Sequence, residues 1–210
     1  MPLNISLIKY NQIVMMAIRG FTVPPHEIAY AQAVESGQPI QSIPPLSQNY
    51  QKPGDSSMVV VIFVPLRRKD PDVPGKVVKA DLEASLGPAQ IQFGSTLQHI
   101  ILVSEEFYAT ADTELLSMIE SMTLRIERFS YEQMSIRPDI HNHQPPHRLL
   151  TIVERDQIRA EGRTKLSNFP KIPLDNPLAK WYGAIRGDMF VFFKTSPLTG
   201  DKIPYYRVVS

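Results

Sequence analysis

Two apolar segments with a helical pattern between them most constrain what this chain can fold into. MVVVIFVPL at 58–66 and LQHIILVS at 97–104 have the β-branched composition of buried strands. KADLEASLG, which lies between them, is typical of a short helix or turn that Gly87 and Pro88 would end. A third segment, TLRIERFS at 123–130, alternates like a strand. This succession predicts an α/β sheet in the first two thirds of the chain.

The chain before these strands has the pattern of two helices followed by a loop. Asn4 can cap a helix that Gly20 ends. Five apolar residues approximate one face of this helix: Leu7, Ile8, Val14, Ala17 and Ile18. Pro24 and Pro25 suit the first turn of a second helix. The proline-rich text of 36–57 has no apolar period and predicts a loop.

A cluster of prolines marks the boundary between two predicted domains. IRPDIHNHQPPH at 136–147 contains three prolines, each of which favours extended backbone before it. Few contacts are expected to cross such a segment, so it is suited to join two domains. We therefore predict one domain over 1–140 and a second over 141–210.

The second predicted domain is dense in signals that fix backbone shape. Thr151 and Glu154 have the spacing of a helix capping box. Asn176 and Pro177 suit the cap and first turn of a short helix, and Gly187 suits a tight turn. MFVFFK and YYRVV have strand composition and are joined by SPLTG. We expect so small a domain, with many exposed aromatic side chains, to need a partner surface that covers them.

Composition excludes several classes of function. The chain has no cysteine, which excludes disulfide frameworks, thiolate zinc sites and cysteine nucleophiles. No run reaches the length of a membrane span, and the N-terminus lacks a signal-peptide pattern, so we expect a soluble intracellular protein. Residues 1–143 hold 11 Lys/Arg against 15 Asp/Glu (−4), whereas residues 144–210 hold 11 against 6 (+5). This asymmetry predicts different partners for the two parts.

The candidate metal ligands are histidines at the predicted domain boundary. His141 and His143 would share one face of a strand, and Asp139 could join them around a divalent metal, with His147 nearby. The prolines that follow favour a linker in place of a strand. We therefore predict no metal site.

Catalytic patterns are missing from the sequence. A metal-dependent nuclease built on a mixed sheet needs an acidic residue two positions before a lysine, and the chain contains no Asp-x-Lys or Glu-x-Lys. Its glycines form no phosphate-binding loop. Arg67, Arg68 and Lys69 follow a strand and could contact phosphates or only solvent. We predict no catalytic residue and no cofactor.

Six short segments of the second domain match a known family in order. They are PPH at 145–147, FPKI at 169–172, NPLA at 176–179, GAIRG at 183–187, SPLTG at 196–200 and YYR at 205–207. In these segments the chain resembles the C-terminal assembly domain of the fifth common subunit of eukaryotic RNA polymerases, a domain that corresponds to the whole of the equivalent archaeal polypeptide. The family has P-x-H, L-P-[RK]-I, D-P-[VA]-A, G-L-K-R-G, S-E-T-x-G and Y-R at these places. Phe169 for leucine and Asn176 for aspartate are departures.

The resemblance implies a non-catalytic subunit of a multisubunit DNA-dependent RNA polymerase. Its fold would be a mixed α/β jaw domain with a nuclease-like fold, followed by a small α+β assembly domain. The assembly domain would bind the largest subunit beside neighbouring small subunits, and the jaw would lie along downstream duplex DNA, with no membrane involved. The implied location is the nucleus, or a cytoplasmic factory or virion if the source is a large DNA virus.

The resemblance also assigns candidate residues. Those for partner binding are Pro170, Lys171, Ile172, Asn176, Pro177, Arg186, Gly187, Tyr206 and Arg207. For DNA contact the candidates are Thr110 and Thr113, in a segment that lacks the family's proline, together with the basic Arg67, Arg68 and Lys69. Two other functions stay open from the sequence alone. One is a nuclease or nuclease-like DNA-processing enzyme that uses the first domain; the other is a free nucleic-acid adaptor, which the net charge of +1 disfavours.

Overall fold

The chain divides into two units, Met1–Ile136 and Arg137–Ser210, which we call unit 1 and unit 2. Each is described by itself. The structure is a computed structural model that describes residues 4–40, 42–64, 79–105 and 124–210.

Unit 1 is a mixed sheet with helices. Its described elements are α1 (Ile5–Ile18), α2 (Pro25–Glu35), β1 (Gln48–Gln51), β2 (Met58–Phe63), α3 (Lys79–Phe93), a 3-10 turn (Gly94–Thr96), β3 (Leu97–Ser104), β4 (Arg125–Ser130) and α4 (Tyr131–Ser135). The strands are ordered β1-β2-β3-β4. The pairs β2–β3 and β3–β4 are parallel, and β1 is antiparallel to β2. The predicted mixed α/β class is confirmed, whereas the nuclease-like jaw fold stays a prediction.

The sheet of unit 1 is covered on both faces. Val60 and its face of β2 pack against Leu86 of α3. On the other face, Lys9 of α1 places its Nζ 5.9 Å from the centre of the Phe63 ring. Because β2 is buried on both sides, it is apolar throughout and does not alternate.

Helix α3 continues where the sequence predicted its end. It runs through Gly87 and Pro88 to Phe93. Pro88 removes one donor from the helix, which costs stability. Leu86 and Ala89 flank these residues and are buried against the sheet, at 2% and 7% exposure. Their burial accounts for a helix that local propensity would stop.

Helix α1 begins as predicted but buries a different face. Asn4 caps it, because the Asn4 Oδ1 accepts a hydrogen bond from the Leu7 backbone N–H at 3.2 Å. Leu7 and Ile18, from the predicted apolar face, are 38% and 36% exposed. Lys9 and Gln12 are instead fully buried. The prediction is right for Ile8, which is fully buried, and wrong for the two exposed residues, because the polar side chains find partners on neighbouring elements and are buried in their place.

The predicted loop over 36–57 contains strand β1, so this part of the prediction was wrong. Only Tyr50 among its four residues is fully buried. The Tyr50 hydroxyl donates to Glu27 Oε2 at 2.6 Å and accepts from Gln12 Nε2 at 2.9 Å. The strand is therefore held by polar tertiary contacts, which leave no apolar alternation in the text QNYQ.

Unit 2 is a second four-stranded mixed sheet with short helices. Its elements are β5 (His147–Leu149), α5 (Ile152–Glu161), a 3-10 turn (Leu166–Asn168), β6 (Lys171–Ile172), α6 (Pro177–Trp181), β7 (Met189–Thr195) and β8 (Lys202–Val209). The strand order is β5-β7-β8-β6, with β6 parallel to β8 and the other pairs antiparallel. No helix in the described parts of either unit has the length and apolarity to cross a bilayer.

Both faces of the unit 2 sheet carry a core. Phe190 and Phe192 of β7 pack with Ala179 of α6 on one face. Met189 and Val191 pack with Leu150 on the other. The aromatic residues expected to be exposed are mostly inside: Trp181, Phe190 and Phe192 are 1%, 0% and 3% exposed. The expected exposure of these aromatic side chains was wrong, because they pack between the sheet and its own helices.

Candidate partner-binding surface

The turn between α6 and β7 is fixed by its own hydrogen bonds. Asn176 caps α6, its Oδ1 accepting from the Leu178 N–H at 3.0 Å, and Pro177 occupies the first helical turn. Gly183 and Gly187 have φ of +63° and +91°, backbone that L side chains rarely adopt. The cap and the turn predicted from the sequence are thus confirmed.

Gly187 is the centre of this turn. Its N–H donates to the Val209 carbonyl at 2.9 Å, and its own carbonyl accepts from Arg155 Nη1 at 3.3 Å. Asp188 Oδ2 accepts from the Ile185 N–H at 2.8 Å. These bonds tie the turn to β8 and to α5, and they hold Arg186 on an exposed, defined backbone.

The segment FPKI is attached to the same end of β8. The Pro170 carbonyl accepts from the Val208 N–H at 2.8 Å, and Ile172 pairs with Val209. Lys171 is exposed and its Nζ donates to the Leu166 carbonyl at 3.1 Å. Ile172 is 4% exposed, so it lies in the core and sets the position of its exposed neighbours.

The candidate binding residues therefore meet around the C-terminal half of β8. Tyr206 and Arg207 lie on β8 itself, and the Tyr206 ring stands edge-on to Phe169 with ring centres 6.5 Å apart. The loop before Asn176 joins the same region, because the Leu174 N–H donates to the Ser210 carbonyl at 3.1 Å. Residues that are far apart in the sequence are thus attached to the same end of β8, and we call this set of candidate residues the β8 surface. It consists of the nine candidate residues Pro170, Lys171, Ile172, Asn176, Pro177, Arg186, Gly187, Tyr206 and Arg207.

Helix α5 supports this surface from one side. Its capping box is present as predicted: Thr151 Oγ1 accepts from the Glu154 N–H at 3.3 Å, and Glu154 Oε2 accepts from the Thr151 N–H at 2.9 Å. The hydrogen bond from Arg148, followed by those from Thr151, lowers the pKa of Glu154 to about 2. Arg155 turns inward to Gly187.

The histidine cluster does not have the geometry of a metal site. His141 and His143 lie in turns and not in a strand, and the His143 N–H donates to His141 Nδ1 at 3.4 Å. Asp139 is engaged by Arg137 at 2.6 Å. No group of three potential metal ligands occurs among the residues whose structure is described. The strand on which His141 and His143 would share a face is not formed, and the segment has the turns that its prolines favour.

The candidate DNA-contact residues lie outside the described part of the chain. This holds for Arg67, Arg68, Lys69, Thr110 and Thr113. Their contact with DNA stays a prediction.

Unit 1 contains a buried charge cluster that the sequence analysis missed. Glu127 of β4 lies 2.6 Å from Arg19, 2.7 Å from Arg125 and 3.1 Å from His99. Burial, only partly offset by Glu127, lowers the pKa of His99. One signal was available: Arg125 and Glu127 are two apart on a predicted strand and therefore share a face. Nothing in the sequence indicated that α1 supplies Arg19.

A second buried ion pair lies between the two helices that begin unit 1. Lys9 Nζ of α1 is 2.6 Å from Glu27 Oε1 of α2, and both side chains are fully buried. Lys9 also donates to Gln12 Oε1 at 2.8 Å. Because both charges are buried against each other, this pair belongs to the packing of α1 against α2.

Comparisons with known proteins match unit 2 to a protein family. The family model "RNA polymerase Rpb5, C-terminal domain" matches residues 136–209. DNA-directed RNA polymerase subunit Rpo5 of Sulfurisphaera tokodaii is 33% identical over 81 residues, which cover 39% of this chain and 96% of that protein.

Longer relatives come from eukaryotes. The subunit rpabc1 of DNA-directed RNA polymerases I, II and III from Dictyostelium discoideum is 26% identical over 106 residues, 50% of this chain and 54% of that protein. The subunit RPABC1 from Caenorhabditis elegans is 24% identical over 155 residues, 74% of this chain and 68% of that protein. The match thus spans about half the length of the Dictyostelium relative.

The family match and these relatives define the class of protein, a subunit of DNA-directed RNA polymerase. More closely, the chain belongs to the Rpb5 family, in which the archaeal Rpo5 proteins are among its relatives. The resemblance found in the six sequence segments is confirmed.

Proposed function

We propose that this protein is a non-catalytic subunit that assembles with the largest subunit of a multisubunit DNA-dependent RNA polymerase through the β8 surface. The observation that carries the proposal is the convergence of the family's motif residues on one end of β8, held there by backbone hydrogen bonds. In this proposal residues 141–210 are the assembly domain and residues 1–140 the jaw.

The physical character of the surface supports a role in assembly. Its turns and caps are set by main-chain bonds, so little conformational entropy remains to be lost on binding. Exposed Lys171, Arg186 and Arg207 give it positive charge for an acidic partner. Neighbouring small subunits would meet the same unit, and the protein would be found wherever the polymerase works, in the nucleus or in a viral factory.

For unit 1 we propose contact with downstream duplex DNA. The candidates are Arg67, Arg68, Lys69, Thr110 and Thr113. Photo-crosslinking of the reconstituted polymerase to a labelled downstream duplex tests this, with simultaneous alanine substitution of the three basic residues. We expect a lower crosslinking yield to this chain; an unchanged yield would remove these three residues from the proposed contact.

The test of assembly is the substitution Gly187→Val. At φ +91° the added side chain costs about 1–2 kcal/mol or more in backbone strain, although it meets no neighbour within 4 Å. We expect weaker co-purification with the large subunits. Gly54→Val is the matched control, because Gly54 also has a positive φ (+78°) and free space but lies in unit 1.

A second variant separates assembly from folding. Arg186→Glu reverses one exposed charge without backbone strain, and Arg159→Glu reverses another on α5, outside the nine residues of the β8 surface. We expect only Arg186→Glu to lower the yield of the complex. If Gly187→Val and Arg186→Glu both leave that yield unchanged, the β8 surface is not the assembly site.

A further inference from the structure

The edge of β8 is open over most of its length. On one side β8 pairs with β7 from Lys202 to Val208. On its other side, β6 pairs only with Val208 and Val209. Among the described residues no strand lies beside 202–207. The opposite edge strand of this sheet, β5, has three residues and follows two prolines, devices that discourage strand pairing.

Backbone hydrogen bonds show which groups of β8 point out of this edge. The Val209 N–H donates to the Asp188 carbonyl at 2.8 Å, on the β7 side. The Val208 N–H donates to the Pro170 carbonyl at 2.8 Å, on the β6 side. Successive residues of a strand alternate in this respect, so the even-numbered residues of β8 point their N–H and C=O groups to the open edge.

Three residues therefore supply the outward groups. Lys202 and Tyr206 each present an N–H and a carbonyl, and Pro204 presents a carbonyl without an N–H. The missing N–H of Pro204 limits pairing with unspecific strands. Two N–H donors and three carbonyl acceptors remain along the open edge. The six residues from 202 to 207 span about 20 Å.

The charge of the hairpin selects the kind of partner. Neither β7 nor β8 contains an acidic residue. Lys202 and Arg207 are exposed at the two ends of the open edge, and Lys194 lies beside it with its Nζ 4.6 Å from the centre of the Tyr205 ring. Ile203, between them, is 54% exposed. The edge therefore suits an acidic strand that places an apolar residue near Ile203.

A second copy of this chain is a poor occupant. Two β8 edges can pair antiparallel only with outward-pointing residues opposite each other, and the register centred on the open edge places Pro204 of one copy opposite Pro204 of the other. This central pair forms neither of its two hydrogen bonds, because proline has no N–H.

We propose that β8 accepts an extended, acidic segment of another polymerase subunit as an added strand along Lys202–Arg207. This inference rests on the proposed function and gives it a mode of contact. The incoming strand bonds to the backbone of Lys202 and Tyr206, its acidic side chains lie near Lys202 and Arg207, and its apolar residue covers Ile203.

Hydrogen exchange at single-amide resolution tests the strand directly. In the free full-length protein, the N–H groups of Lys202 and Tyr206 exchange fast, and those of Ile203, Tyr205 and Arg207 are protected by β7. In the reconstituted polymerase we expect the Lys202 and Tyr206 amides to become protected by at least tenfold. If the chain enters the complex and these two amides still exchange as in the free protein, the added strand is refuted and the proposed function stands. If the chain does not enter the complex, both are refuted.

A pair of variants isolates the backbone contribution. Lys202→Pro removes the charge and the outward N–H, at the first residue of a strand where proline is tolerated, and Lys202→Ala removes the charge alone. We expect the proline variant to bind the polymerase about fivefold more weakly than the alanine variant, the effect of one hydrogen bond. Equal binding of the two variants, with Trp181 fluorescence showing both folded, would overturn the inference. Concentration-dependent dimerisation of the free chain that Lys202→Pro abolishes would overturn it as well, in favour of a second copy.

Discussion

The buried charge cluster of unit 1 gives the sharpest test of the energetics. We consider Glu127→Gln, which keeps the shape of the side chain and removes its charge. Glu127 is the acceptor for Arg19, Arg125 and His99. Arg19 directly follows α1 and the other three residues come from β3 and β4, so the cluster joins the helix to the sheet.

The magnitude follows from the pKa of Glu127. Burial alone would raise that pKa, but hydrogen bonding with His99 and the charges of Arg19, His99 and Arg125 outweigh burial and lower it from 4.5 to about 2. This difference corresponds to about 3 kcal/mol of folding free energy at pH 7. The Glu127 side chain is only 11% exposed, so screening by solvent reduces this free energy only slightly.

Native-state hydrogen exchange of unit 1 measures this loss. Peptides that cover β3 and β4 should lose about 3 kcal/mol of protection in Glu127→Gln at pH 7. Peptides from β7 and β8, in unit 2, provide an internal reference. The matched control is Glu132→Gln, because Glu132 is exposed in the first turn of α4, and its loss should stay within about 0.5 kcal/mol.

The pH dependence has a defined sign. The folded-state pKa of Glu127 is depressed, so its contribution is present above the unfolded value near 4.5 and is lost as pH falls through about 2. The difference in folding free energy between the natural protein and Glu127→Gln should therefore become smaller as pH falls over that range. A loss below about 1 kcal/mol at pH 7 would refute the assigned magnitude, and a gap that widens as pH falls from 4.5 to 2 would refute the assigned cause.

Two further predictions concern the cores. Lys9→Met leaves Glu27 buried without its counter-charge and should lower the free energy of unfolding, measured in urea, by about 3–5 kcal/mol. Adding Glu27→Gln should recover part of this loss. A double variant no more stable than Lys9→Met alone would contradict the ion-pair account. Phe190→Ala empties a fully buried position in unit 2 and should cost about 3–5 kcal/mol, followed by the fluorescence of the buried Trp181; a cost near zero would mean that the site collapses around the cavity.

Features specified by local chemistry could be predicted from the sequence. Asn176 caps α6 and Gly187 makes a turn because each needs only its own side chain or the lack of one. The bounds of β3 agree with the predicted 97–104, since a strand buried on both faces is apolar throughout. These signals act within a few residues and do not depend on the rest of the fold.

Features that depend on contacts between distant residues could not be predicted from the sequence. Strand β1 exists because Tyr50 meets Glu27 and Gln12, which lie 23 and 38 residues away. Buried Lys9 and Gln12 of α1 likewise find distant partners, so an apolar pattern identified the buried face of this helix only in part. Burial of a paired Lys or Glu is invisible in a hydrophobicity pattern, because the pattern scores each residue without its partner.

The β8 surface combines both kinds of information. Its residues were assigned from the spacing of the family motifs, and the structure shows backbone hydrogen bonds that explain this spacing. Pro170, Gly187 and Leu174 each hydrogen-bond to one of the last three residues of the chain, 208–210. These three segments are thus backbone attachments to the end of β8, and their local sequence is limited by turn and cap geometry more than by side-chain chemistry. The open edge at 202–207 lies just before these attachments. These attachments hold the end of β8 in place, so the open edge beside it cannot shift along the sheet. We therefore expect an added strand to pair with this edge in one register.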